Sequence, residues 1–189
     1  MTREKFIKVL DEKGYSYEME GDKLVVTDKE WDVGLKKLKT LPPGVVFKNR
    51  SGVFLDSLTS LPPGVVFGNG ESVRLDSLTS IPPGVVFGNG GSVRLDSLTS
   101  IPPGVEFGNG GSVYLNALTS LPPGVEFKNG GSVWLNSLAS IPPGMEFRNK
   151  GRVHLESLTG EWFDYWEGNI EYIDNKRLLN FMISKEMFI

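Results

Sequence analysis

The sequence has no cysteine and a single histidine among its 189 residues. Without cysteine, the chain forms no disulfide, no thiolate nucleophile and no cysteine-ligated zinc site. One histidine, His154, is too few for a metal site built on several histidines, and it leaves a serine–histidine triad only one candidate base. No stretch approaches the run of about 20 apolar residues that a membrane-spanning helix requires. We therefore expect no metal, no cofactor and no membrane insertion.

The sequence also has no excess of positive charge, since its formal net charge is −3 and its isoelectric point is near 5.3. Broad binding to nucleic acid or to an acidic membrane surface requires a basic footprint. We therefore expect neither of them as a partner. The first residues contain no apolar run of secretory length, so the sequence predicts no signal peptide and a cytoplasmic protein.

The middle of the chain, residues 38–159, repeats one phrase of 20 residues six times without a slip of register. The phrase is Leu-Thr-Ser-Leu/Ile-Pro-Pro-Gly-Val-x-Phe-x-Asn-Gly-Gly-Ser-Val-x-Leu-x-Ser. A fixed period of about 20 residues is typical of solenoids, whose coils bury their apolar faces against neighbouring coils. We predict a mainly β fold, a parallel β-solenoid of about six coils with small α-containing caps at both ends. The copies begin at Leu38, Leu58, Leu78, Leu98, Leu118 and Leu138, and a seventh begins at Leu158.

One copy, residues 78–97, shows how each coil is built. Its Ser-Val-Arg-Leu-Asp stretch alternates polar and apolar residues, which is the period of a strand with one buried face. This pattern predicts that Val93 and Leu95 face inward and that Arg94 and Asp96 face outward. Pro-Pro-Gly and Asn-Gly-Gly supply the corners, because proline fixes φ and because Asn and Gly tolerate positive φ.

A second short run in each copy places Val85 and Phe87 inward and the residue between them outward. A position that accepts valine or glutamate is predicted to face solvent, and its occupants are Val46, Val66, Val86, Glu106, Glu126 and Glu146. Every copy also has an asparagine at one corner, and we expect these amides to hydrogen-bond one another along the axis. The asparagines are Asn49, Asn69, Asn89, Asn109, Asn129 and Asn149.

The first 37 residues form a separate N-terminal cap of one helix and two strands. Thr2 is a candidate N-cap for the helix, and Gly14 is a candidate C-cap. Two alternating runs around a Gly-Asp pair predict a hairpin. Val33 and Leu35 align with the strand positions of the repeat, which predicts a degenerate half coil covered by the helix and the hairpin.

The last segment, residues 160–189, is rich in aromatic residues and contains an apolar stripe at helical spacing. One interpretation is a C-terminal cap that shields the edge of the last coil. The other is a docking tail that joins two chains into a homodimer. The residues that would form such an oligomerisation surface are Trp162, Phe163, Tyr165, Trp166, Leu178, Leu179, Phe181 and Phe188.

The Leu-Thr-Ser-Leu-Pro phrase resembles the leucine-rich repeats of bacterial effector proteins. The longer phrase, ending in Gly-Gly-Ser-Val-x-Leu, is similar to short solenoid repeats of bacterial and phage proteins. The resemblance covers residues 38–159 and implies a leucine-rich-repeat-like coil that recognises another macromolecule, most often a protein. One departure is that the asparagine column lies at Asn89 and its equivalents instead of just after the strand, so a curved horseshoe and a straighter solenoid both remain open.

Two outward columns vary between copies while the surrounding phrase stays fixed, and we predict a partner-binding face there. Tyr, Trp and Arg, which are enriched at interface hot spots, occupy part of this face. The alternative is that these side chains only stabilise the sheet, at roughly 0.2–1 kcal/mol per neighbouring pair. The first column is Phe54, Arg74, Arg94, Tyr114, Trp134 and His154, and the second is Asp56, Asp76, Asp96, Asn116, Asn136 and Glu156.

Three functions are compatible with this sequence. The first is a non-enzymatic protein-binding repeat module, which the resemblance to phage and mobile-element proteins extends to an inhibitor of a bacterial enzyme or defence complex. The second is a carbohydrate-binding or glycan-processing β-helix with Tyr114 and Trp134 as stacking platforms. The third is a scaffold that self-associates through residues 160–189. We expect no catalytic residues, because the carboxylate column recurs by repetition whereas an active site normally breaks a repeat.

Overall fold

The computed structural model describes residues 1–142 and 145–157 and shows a mainly β protein, a parallel β-solenoid of about six coils with a short N-terminal helix. The helix α1 spans Arg3–Lys13, and an antiparallel hairpin follows, with β1 at Tyr17–Glu20 and β2 at Lys23–Val26. The predicted fold class is therefore confirmed. The predicted C-terminal segment, including all eight residues of its proposed oligomerisation surface, lies outside the described residues.

Two sheets run along the solenoid axis, and the coils contribute one short strand to each. The first sheet contains β1, β2, β4 (Val45–Phe47), β6 (Val66–Phe67), β8 (Val86–Phe87), β10 (Glu106–Phe107) and β12 (Glu126–Phe127), paired in that order. The second sheet contains, in pairing order, β3 (Val33–Gly34), β5 (Val53–Phe54), β7 (Val73–Arg74), β9 (Val93–Arg94), β11 (Val113–Tyr114), β13 (Val133–Trp134) and β14 (Val153–His154).

Equivalent residues of successive coils lie next to each other, so each fixed position of the repeat stacks on itself. Val93 pairs with Val113, for example, and both side chains are fully buried. The phenylalanines from Phe47 to Phe147 form a continuous stack in the core, with 5.3 to 5.4 Å between neighbouring ring centroids. Leu95 is also fully buried, so the predicted inward positions are confirmed.

The buried asparagine amides donate hydrogen bonds to backbone carbonyls and not to one another, so the prediction of amide-to-amide bonding was wrong. The Asn89 Nδ2 donates to the carbonyl of Glu71 in the preceding coil at 2.9 Å and to Gly91 and Ser92 in its own corner at 3.0 and 3.3 Å. The corner carbonyls converge on each amide and therefore take its hydrogens. Since Asn89 is 1% exposed, the column links successive coils from the inside.

The outward column of the first sheet is less uniform than the sequence predicts. Val86 is 49% exposed, as expected, but Val46 is only 6% exposed. Val46 lies between Val25 and Val66 on the neighbouring strands, and Val25 is itself fully buried. The solvent-facing prediction is therefore wrong for Val46, because the N-terminal hairpin adds a strand beside it.

The N-terminal helix begins and ends where the sequence predicts. The Thr2 hydroxyl accepts a hydrogen bond from Lys5 N at 3.3 Å, and Gly14 adopts a left-handed conformation with φ of 71°. Such a φ favours glycine because it has no Cβ. Phe6 and Leu10 are fully buried against the first coils, so the helix covers the open end of the core.

The hairpin does more than cover the solenoid, because β2 is also the first parallel strand of the first sheet. Val26 pairs with Phe47, and Arg50 N donates to the carbonyl of Asp28 at 3.0 Å. In later coils the residue after each asparagine donates to the asparagine carbonyl of the preceding coil in the same way. Asp28 therefore occupies the asparagine column.

At this corner position Asp28 bonds the backbone through a carboxylate, where later coils use an asparagine amide. It is 4% exposed, and its oxygens accept hydrogen bonds from the backbone N–H groups of Ser16, Glu30 and Trp31 at 2.9 to 3.2 Å. Burial raises the pKa of this carboxyl, but the donors, led by Trp31, outweigh burial and hold the pKa below its usual value. The ionised form is therefore built into the cap.

Candidate functional site

The first variable column forms one line along the outside of the second sheet. Parallel pairing aligns Phe54 with Arg74, Arg74 with Arg94, and so on to His154. Arg74 and Arg94 are exposed, whereas the other members are half-buried. The structure thus brings together all six residues that the sequence assigns to this column.

The aromatic half of the column is a stack of rings. The Tyr114 and Trp134 rings are nearly parallel, with centroids 5.8 Å apart, and the Trp134 and His154 centroids are 3.6 Å apart. The Arg94 guanidinium carbon lies 4.8 Å from the Tyr114 centroid and extends the stack by a cation–π contact. Both faces of Tyr114 and Trp134 are therefore covered, and these rings present their edges to solvent.

The basic half of the column is paired with carboxylates from the second column. Arg74 Nη2 lies 3.0 Å from Asp76, and Arg74 Nε lies 3.5 Å from Asp56. The hydrogen bond to Asp76 and the charge of Asp56 raise the pKa of Arg74. The Arg94 Nε is 3.4 Å from Asp96. The like charges of Arg74 and Arg94 are thus offset by neighbouring carboxylates.

The second column is also tied together between coils. The Asn116 amide donates to Asp96 at 2.8 Å, and the Asn136 amide donates to Glu156 at 3.0 Å. The acidic and amide side chains therefore hold one another in place beside the first column.

Two polar groups of the aromatic half keep their hydrogen-bonding capacity free. Within the described residues, neither the Tyr114 hydroxyl nor the Trp134 indole N–H makes a hydrogen bond. Both side chains are half-buried and stacked, so their positions are fixed although these two groups have no partner. A buried Tyr O–H or Trp N–H normally has a partner, which an interface can supply.

No family model matches the chain, and comparison with curated proteins and with solved structures likewise found no match. In residues 1–142 and 145–157, no three His, Cys, Asp or Glu side chains are placed to hold a metal ion. The helical part of those same ranges is too short and too polar to cross a membrane.

Sequence reasoning identified the members of the site but missed how they contact one another. The alternation shows that Tyr114 and Trp134 face outward, but not that their rings stack face to face along the axis. It also missed Lys29 and Arg50, which lie together on the first sheet's side of the solenoid. The signal was available, because basic residues stand there where the next coils have glycine.

Proposed function

We propose that the protein is a non-enzymatic binding module that holds another protein against the first variable column of the second sheet. The observation that carries this proposal is the stack from Arg94 through Tyr114 and Trp134 to His154, in which the tyrosine O–H and the tryptophan N–H make no hydrogen bond within the described residues. Preordered aromatic and arginine side chains lose little conformational freedom on binding, and they are the types that dominate interface energetics.

The ring geometry favours a protein over a carbohydrate as the partner. A sugar that stacks on an aromatic platform requires an open ring face. The faces of Tyr114 are covered by Arg94 and Trp134, and those of Trp134 are covered by Tyr114 and His154. Ring edges and N–H or O–H donors suit the carbonyl and carboxylate acceptors of a protein surface.

Two finer assignments rest on the sequence alone. The resemblance of the repeat to bacterial and phage solenoid repeats supports an inhibitor of a bacterial enzyme or defence complex. The aromatic C-terminal sequence supports self-association as an alternative role. Light scattering with and without residues 160–189 tests the latter, since a dimer that persists after truncation contradicts it.

The main proposal is tested by affinity capture from a lysate, followed by a binding assay with the purified partner. Trp134→Ala is expected to weaken binding by about 30-fold, the effect of losing a 2 kcal/mol hot spot. Arg94→Glu is expected to weaken it as well. The matched control is Trp31→Ala, because Trp31 is 68% exposed and lies outside the column.

Circular dichroism melting of each variant establishes that the solenoid is folded. A partner that binds wild type and Trp31→Ala but not Trp134→Ala supports the proposal. If Trp134→Ala and Arg94→Glu both retain the partner, the proposed face is wrong. Binding to a glycan array that disappears in Trp134→Ala would favour the carbohydrate function instead.

A further inference from the structure

A pocket of about 590 Å³ lies where the N-terminal hairpin meets the first repeat coils. The basic side chains of Lys29, Lys48 and Arg50 line it, together with Thr27 and the glycines at 68 and 70. This pocket opens on the side of the first sheet, so it is separate from the proposed protein-binding column. It also lies where the repeat pattern breaks.

Lys29 and Arg50 form a pair of like charges on adjacent coils. Because Arg50 N donates to the carbonyl of Asp28, the next residue, Lys29, lies beside Arg50 in the stack. Neither side chain makes an ion pair or a hydrogen bond within the described residues. Like charges on neighbouring side chains repel each other. In the second sheet the corresponding repulsion between Arg74 and Arg94 is offset by aspartates, whereas here it is not.

The carboxylates near the pocket do not offset this charge. Glu20 is occupied by Lys48, whose Nζ lies 2.7 and 2.9 Å from its two oxygens. Glu18 also lines the pocket and is the one remaining acidic residue there. Glu18 is thus the one lining carboxylate against Lys29 and Arg50, with which it forms no ion pair, and the pocket retains a net positive charge although the whole chain is at −3.

The floor of the pocket is open because of a glycine that the backbone does not require. A Cβ at Gly68 would lie 3.6 Å from the Phe47 carbonyl, which is ordinary contact. The same position is glycine in the next two coils, at 88 and 108, and Lys128 and Arg148 in the later ones, so this column accepts both glycine and long side chains.

We propose that this pocket binds a small oxyanion, a phosphate or sulfate group. The guanidinium of Arg50 matches two oxygens of such a group, and Lys29 adds a compact positive charge. The half-buried Thr27 hydroxyl supplies a further donor at the wall of the pocket. The bound anion would take the place that carboxylates hold beside Arg74 and Arg94.

The test is a titration of the full chain with inorganic phosphate and, separately, with sulfate at constant ionic strength. Binding is followed by amide chemical shifts and by calorimetry. We expect saturable binding with shifts centred on residues 27–29, 48–50 and 68–70. Arg50→Gln and Lys29→Gln should each weaken binding by about tenfold, the loss of one charge-assisted contact. Lys37→Gln, at an exposed position away from the pocket, is the control.

A second variant tests the proposal even if replacing Lys29 or Arg50 destabilises the fold. Gly68→Glu places a carboxylate in the open floor and should abolish anion binding while raising the melting temperature, because it offsets the like charges. The matched control is Gly88→Glu, one coil further along. Shifts that do not saturate, equal affinity in Arg50→Gln, or binding retained in Gly68→Glu would each overturn the proposal.

Discussion

The buried asparagine column allows a demanding test of the fold. Asn89 donates through one amide group to three carbonyls, those of Glu71, Gly91 and Ser92. Replacing it with alanine removes the donor, and replacing it with aspartate substitutes a nearly isosteric group that, when ionised, can only accept. The two variants therefore separate the loss of a hydrogen bond from the burial of an unpaired charge.

The expected loss of stability depends on which hydrogen bonds each of the three carbonyls keeps. Glu71 O still accepts from Gly91 N at 3.2 Å, Gly91 O from Gly111 N at 3.0 Å, and Ser92 O from Val73 N at 2.8 Å. Since no carbonyl is left without a partner, Asn89→Ala should cost about 1–2 kcal/mol of the free energy of unfolding. Asn89→Asp should cost about 3–5 kcal/mol, because it leaves a buried carboxylate facing carbonyl oxygens.

The aspartate variant should also depend on pH. Burial among carbonyls raises the pKa of the introduced carboxyl above its unfolded value of about 3.9. Its destabilising effect is therefore complete above the folded pKa and shrinks as the pH falls through that value. Compared with Asn89→Ala at the same pH, the extra cost should be smaller at pH 5 than at pH 7.

Urea unfolding followed by far-ultraviolet circular dichroism measures these differences. Val86→Glu is the control, because it adds the same charge in the same coil at a position that is 49% exposed. Glu106 occupies the equivalent position one coil on, so we expect a change within about 0.5 kcal/mol. If Asn89→Asp costs no more than Val86→Glu, the asparagines do not hold the coils together as described.

Two further predictions concern single positions. Gly110→Ala should destabilise by about 1–3 kcal/mol, because its Cβ would lie 2.2 Å from the Gly90 carbonyl, whereas Gly108→Ala should be neutral or slightly stabilising, since its nearest contacts are at 3.7 and 3.8 Å. Thermal melting compares the two directly. Asp28→Asn should destabilise the cap at neutral pH and lose that effect in acid. Because the pKa of Asp28 is lowered in the folded protein, its contribution to stability is fully present above the unfolded pKa of about 3.9. This contribution disappears as the pH falls through the lower folded pKa, which urea titrations between pH 7 and pH 2 would show.

The sequence could predict the direction of each side chain because one coil contains that information. Val93 and Leu95 alternate with Arg94 and Asp96, and a strand with one buried face has only one arrangement that buries the apolar pair. The helix caps follow for a similar reason, since Thr2 and Gly14 act within a few residues of themselves.

Other features depend on contacts between coils, and the sequence could not supply them. Asp28 fills the asparagine column, but four residues separate it from Val33 whereas three separate Asn49 from Val53, so a search for a constant period passes over it. The burial of Val46 depends in the same way on a hairpin strand whose sequence does not match the repeat. Both errors occur at the end of the solenoid, where the neighbour of a coil is no longer another copy.

The same distinction explains how the candidate site works. Trp134 rests on Tyr114 in one neighbouring coil and on His154 in the other, so its orientation is a property of three copies. A substitution at one coil uncovers ring faces in the coils beside it, and energies of neighbouring substitutions then do not add. The surface that the outward column presents is therefore determined by runs of adjacent residues and not by single positions. Arg94, Tyr114, Trp134 and His154 are such a run, which is why they form one rigid surface instead of four independent contacts.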